Sequence, residues 1–312
     1  MERENDAAGH ATQQNGSDVM KAVNVLVLML LWAAPAAGQR LLPDVRFFRT
    51  PVADPFAART AVSLQHTNVL ETQGPERPAF TLPDPDDAAS DVVAAVGIGA
   101  IIPLIQLSQS PSGGVLMYAD ARVFSRFRIE YESRDDMGQD WFVGGGFEMQ
   151  HNAWSGRAAI IHRSSHLGDE FIEMTGAERI EFGSEQLDVT AAYDVPGIAR
   201  VYGGGSWIFR SYLGWEPQLV ALGVRDRALL QIGADNMWRP WRGRPLAVYA
   251  GVDLQTAERS DWDMGFAAAA GIGVQTRRSF RLMARFYDGP STMGEFFLTP
   301  ERYFALELVA EL

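Results

Sequence analysis

The chain has 312 residues, a formal net charge of −12 and no cysteine. Disulfides, thiolate metal sites and cysteine nucleophiles are therefore excluded, and the basic footprint of a nucleic-acid binder is missing. No internal run reaches the 18 or more apolar residues that a membrane helix needs.

The chain begins with a polar extension, residues 1–19, ahead of MKAVNVLVLMLLWAAPAAGQ from Met20. A lysine, an apolar stretch and a small-residue exit form the pattern of a secretory signal peptide, with Ala36 and Gly38 at the −3 and −1 positions of a cleavage before Gln39. Residues 1–38 are thus expected to be an extension plus export signal, with Met20 as an alternative start. Residues 39–58 (QRLLPDVRFFRTPVADPFAA) contain proline and do not alternate. They are expected to be a periplasmic lead-in or a plug.

From residue 59 to 312 the chain is a series of alternating segments of about ten residues. In YFALELVAEL, Phe304, Leu306, Leu308 and Leu312 share one face and Tyr303, Glu307 and Glu311 the other. Twelve strands are expected, near 59–67, 91–107, 114–127, 139–150, 154–165, 180–194, 198–210, 227–238, 245–256, 262–275, 278–288 and 301–312. A soluble sandwich also alternates. Here, however, the polar face carries mid-strand charges such as Asp120, Glu148, Arg200, Asp253 and Arg285, while tryptophans stand near strand ends on the apolar face. Apolar outside, polar inside and aromatic at the rims is the pattern of a transmembrane antiparallel up-and-down β-barrel. The connections fit it, alternating between short turns and longer loops, as periplasmic and outer connections do in such barrels. The loop 68–90 is acidic and Pro-rich and is expected to be mobile. The expected location is the bacterial outer membrane, and the expected partners are its lipids and its assembly machinery, with no nucleic acid; the oligomeric state is left open. The inward charges fit either a selective pore or ion pairs that fill a narrow lumen, and their interspersed signs favour the pairs.

One polar cluster interrupts this pattern, IIHRSSHLGDEF at 161–172. His162 and Ser164 continue the face of Trp154, Ala158 and Ile160, the lipid face, near the outer end of their strand. On the next strand Glu185 continues the lipid face of Leu187 and Val189. Pairing Ala158 with Ala191 would bring Glu185 beside Ser164 and within reach of His162. Ser164 would then be a nucleophile, His162 its base and Glu185 the group that orients the imidazole. An alternative takes His166, Asp169 and Glu170, with His162, as ligands of a divalent metal, calcium being a candidate cofactor. The plainest alternative is a polar strand end followed by a Gly-Asp turn, with no chemistry.

This arrangement resembles the outer-membrane acyl hydrolases, outer-membrane phospholipase A and the lipid A deacylases. There a His-x-Ser pair on an outward strand face is helped by an Asn or Glu on the next strand. That resemblance implies an acyl-ester hydrolase of outer-leaflet lipids using His162, Ser164 and Glu185. It departs at Ser165, where those families usually continue with Asn. Over most of the mature chain, the pieces TPVADPFAART, ADARVFSRF, HRSSHLGDEF, ARVYGGGSWIF, GVDLQ and ARFYDG resemble an uncharacterised bacterial family of outer-membrane proteins classed as a domain of unknown function. This second resemblance implies the barrel and its location and no chemistry. The rival expectation is a non-enzymatic barrel, either a narrow channel or a structural protein.

Overall fold

The computed structural model describes residues 40–68, 92–129, 136–175, 179–241, 243–275 and 279–311. Residues 1–38, where an extension and export signal are expected, and nearly all of the loop 68–90 lie outside the described residues. The chain forms a closed antiparallel barrel of twelve strands: β1 (Thr60–Thr67), β2 (Val92–Ser110), β3 (Gly113–Arg128), β4 (Asp136–His151), β5 (Trp154–Leu167), β6 (Gly183–Val195), β7 (Ala199–Ser211), β8 (Ala228–Trp238), β9 (Leu246–Ala257), β10 (Met264–Gln275), β11 (Ser279–Pro290) and β12 (Pro300–Glu311). Each strand pairs with its sequence neighbours, and β12 pairs with β1 to close the ring. Closure satisfies every strand edge, the condition for a sheet in hydrocarbon. The ladder shifts register beside Pro103 in β2, where the missing N–H cannot donate.

Dyad alternation sets the two faces. Leu308 is 65% exposed, whereas its neighbour Glu307 is 2% exposed. The outward side chains are apolar, and exposed tryptophans mark both rims. Trp154 and Trp238 stand near the short-turn end and Trp141, Trp207 and Trp262 near the other. The inward charges predicted from the alternation are buried. Several are paired: Arg122 with Asp120 at 2.9 Å, Arg163 with Asp140 at 2.9 Å, Arg200 with Asp235 at 2.6 Å and Arg285 with Glu307 at 3.1 Å, whereas Asp253 accepts from the neutral Tyr202 hydroxyl at 2.6 Å and Gln231 at 2.8 Å.

Residues 41–58 lie among these charges and are not a separate lead-in outside the ring. Glu148 is the anchor. Its carboxylate accepts from Arg46 Nε at 2.9 Å and from the backbone N–H groups of Phe47 at 3.0 Å and Phe48 at 3.2 Å. Further along, Val52 N donates to Asp235 at 3.2 Å, Arg285 donates to the Ala53 carbonyl at 2.6 Å, and Arg122 to the Phe56 carbonyl at 2.6 Å. A segment without regular structure keeps its peptide groups satisfied by borrowing the wall's charges. Together with the buried rings of Phe47 and Phe48 it plugs the lumen.

The other end is filled by loops. The segment between β11 and β12 turns inward, where Gly294 N donates to Asp140 at 3.0 Å and Glu295 N to Ser165 Oγ at 3.1 Å. Met293 and Phe296 pack with Val93, Met137, Leu167 and Phe171, the last on the short helix α1 (Asp169–Thr175).

Two outcomes follow from this filling. Glu148→Ala strands Arg46 and two backbone donors, and should cost about 3 kcal/mol, read as a lower denaturant midpoint of the refolded protein in micelles; an unchanged midpoint would refute the anchoring role. In planar bilayers the intact protein should give no steady single-channel conductance, and steady openings would contradict a plugged lumen.

Candidate functional site

The outward faces of β4 to β7 carry the candidate site. The register of β5 and β6 pairs Ala158 with Val189, His162 with Glu185 and Ser164 with Gly183. The expected pairing of Ala158 with Ala191 is thus corrected by two residues. A slip of two preserves the face, where a slip of one would have reversed it. His162 and Glu185 therefore lie directly opposite one another, with His162 Nδ1 2.9 Å from Glu185 Oε1. The imidazole is 44% and the carboxylate 28% exposed, so both are open to the surroundings of the barrel and not to its lumen.

Ser164 follows on the same face, about 7 Å further along the strand. It is half-buried, with Trp141 opposite it on β4. Among the described residues the Ser164 hydroxyl makes no hydrogen bond. Binding of Nδ1 by a carboxylate fixes the tautomer and leaves Nε2 as the basic nitrogen, which is the nitrogen a serine base uses. Ser165, one residue on, points inward, is buried and accepts from Glu295 N. It belongs to the internal filling of the barrel.

The residues expected as metal ligands are not brought together. Among the described residues no group of three or more His, Asp or Glu side chains is placed to hold a metal ion. His166 is exposed at the end of β5, whereas Asp169 and Glu170 form the first turn of α1. Acidic side chains are favoured there by the helix dipole. Asp169 pairs with Arg179.

The sequence did not reveal what stands beyond Glu185. The β6–β7 ladder has a bulge that sets Arg210 opposite Glu185, and Ile208 opposite Gln186. The extra residue, Phe209, lets both Phe209 and Arg210 stand exposed although they are adjacent; simple alternation would have turned Arg210 inward. One row therefore runs Val143, His162, Glu185, Arg210 across four strands. In the next row, Tyr212 lies over Gly183, where a Cβ would meet its ring at 2.7 Å. A glycine opposite Ser164 is what admits this tyrosine to the patch.

If Glu185 fixes the tautomer, nitrogen NMR of histidine-labelled protein should show His162 protonated at Nδ1, the resonance being assigned by its loss in His162→Gln. Glu185→Ala should move that resonance toward a tautomer mixture. A spectrum indifferent to Glu185 would remove the pair from any mechanism.

Several solved structures share the architecture. The Salmonella typhi outer membrane phospholipase dimer with bound calcium matches at 11% identity and a TM-score of 0.54, over 83% of this chain and 93% of that one. Outer membrane phospholipase A from Escherichia coli matches at 12% identity and 0.54 over the same shares. LpxR from Salmonella typhimurium aligns at 12% identity over 82% of this chain and all of its own, with a TM-score of 0.34 that carries no argument. Likeness at such identities establishes the fold, that of outer-membrane barrels, and nothing about reaction. No curated protein matches the chain by sequence. The family model described as "Protein of unknown function (DUF1207)" matches residues 35–310, and the chain belongs to that family.

Proposed function

We propose that this barrel is an acyl-ester hydrolase acting on lipids of the outer leaflet of the outer membrane. The observation that carries the reading is the 2.9 Å contact of His162 with Glu185, with Ser164 two residues on along the same outward face. An outward site is unusual for an enzyme, because it has no pocket. It suits a substrate that is itself the solvent of the barrel wall. The protein would reach this location through the export segment and the outer-membrane assembly machinery, with the long-loop end outside, as in other such barrels.

In this scheme Ser164 Oγ attacks the ester carbonyl while His162 Nε2 takes its proton. Glu185 holds Nδ1–H and stabilises the imidazolium that forms. His162 then returns the proton to the departing alkoxide, leaving an acyl-serine. Water, deprotonated by the same nitrogen, releases the fatty acid and restores the hydroxyl. The Salmonella typhi phospholipase has calcium bound. Here His166, Asp169 and Glu170 do not converge, so these residues do not fit a calcium site and no step is assigned to one. The channel reading is opposed by the plug and by the paired lumen charges.

Refolded protein should release fatty acid from mixed phospholipid and lipid A micelles. Ser164→Ala should abolish release, and His162→Asn should lower it by about 10²- to 10⁴-fold. Equal rates for wild type and Ser164→Ala, with folding verified by heat-modifiable gel mobility, would sink the proposal and leave a structural barrel.

A further inference from the structure

The patch next to the proposed nucleophile holds a cation whose placement nothing so far explains. Arg210 is exposed on the outer wall, beyond the rim tryptophan Trp207. Its guanidinium carbon lies 5.0 Å from the Tyr212 ring centroid and 5.9 Å from that of Trp215, and the two rings meet edge-on at 4.6 Å. Stacking of this kind fixes the guanidinium plane without using its N–H donors. Among the described residues the Arg210 guanidinium enters no hydrogen bond or ion pair. The carboxylate opposite it, Glu185, is bonded to His162 instead. On the described outward faces of β5, β6 and β7, Arg210 is the single arginine or lysine.

A fixed cation with free donors at the level of an aromatic girdle needs an anion from its surroundings. At that level the lipid headgroup supplies a phosphate. A planar guanidinium binds phosphate oxygens in a two-bond fork, a geometry lysine lacks. Two strand spacings, about 10 Å, separate the backbone of β5 from that of β7. The long arginine side chain closes part of that gap. One glycerophospholipid can therefore present its phosphate to Arg210 and an ester to Ser164.

We infer that Arg210, oriented by Tyr212 and Trp215, is a binding site for the phosphate of a glycerophospholipid headgroup and positions the adjacent ester. The positioning role rests on the hydrolase reading; the binding does not.

The test is a binding measurement on the Ser164→Ala protein in neutral detergent. Native mass spectrometry would compare dihexanoyl phosphatidylglycerol, dihexanoyl glycerol and inorganic phosphate. Phosphatidylglycerol should bind more tightly than dihexanoyl glycerol, and adding Arg210→Gln should weaken it by about tenfold or more while leaving dihexanoyl glycerol unchanged. Inorganic phosphate at equal concentration should not displace the lipid. Phosphatidylglycerol binding indifferent to Arg210→Gln overturns the site, and displacement by inorganic phosphate overturns its assignment to a lipid. Fatty-acid release plays no part in this readout. An inactive barrel that still binds phospholipid through Arg210 keeps this site and loses the hydrolase reading, and an active barrel insensitive to Arg210 does the reverse.

Discussion

Closing a sheet upon itself obliges every second side chain to face inward, and here residues 41–58 and the inturned loop between β11 and β12 fill the ring, so the inward charges are buried. Many of the arginines and carboxylates that the alternation turns inward therefore find each other. Asp120 with Arg122, Asp140 with Arg163 and Asp235 with Arg200 do so within the wall. What the wall leaves unsatisfied it lends to the irregular chain inside, as Glu148 does for the side chain of Arg46 and the backbone N–H groups of Phe47 and Phe48. Removing one member of such a buried set is costly because its partner is left charged and dry. The interior is thus a bonded scaffold built on the same strands that carry the outer face. Ser164 and Ser165 are neighbours on β5, one on each side of that wall.

An outward constellation gains its order from the ladder alone. His162 and Glu185 are opposite residues of an antiparallel pair, whose side chains on one face are near neighbours by construction. No loop has to fold over them. The same rule that places Val189 beside Ala158 in the apolar band places a carboxylate beside an imidazole a few residues on. Chemistry at the rim of a barrel therefore requires few departures from an ordinary strand sequence.

This accounts for what could be read in advance. All twelve strands were legible, because period-two alternation with rim tryptophans survives without any knowledge of pairing. The face of His162, Ser164 and Glu185 was legible for the same reason. Their partners were less so. Hairpin register was misplaced by two residues, since the connection from β5 to β6 carries a helix whose length alternation does not report. The bulge at Phe209 was invisible, and with it the outward turn of Arg210, because one unpaired residue leaves no mark on composition. Residues 41–58 could be read as a lead-in or a plug, and their lack of alternation could not choose between the two. Many of their carbonyl and N–H groups bond to residues far along the chain, such as Arg122, Glu148 and Asp235, and no local pattern encodes that.

The plug also constrains the order of assembly. Residues 41–58 precede β1, yet their partners stand on β3, β4, β7, β8 and β11. Those partners face one another only once most of the ring exists. Contacts of such sequence separation form late. The part of the barrel chain that is synthesised first is therefore among the last to reach its native place, and until then the buried arginines of the wall remain in contact with water. The seam between β1 and β12 closes beside this same segment. Insertion of the plug and closure of the ring are in that sense one event, and an intermediate with an open seam would carry a hydrated, unfilled interior.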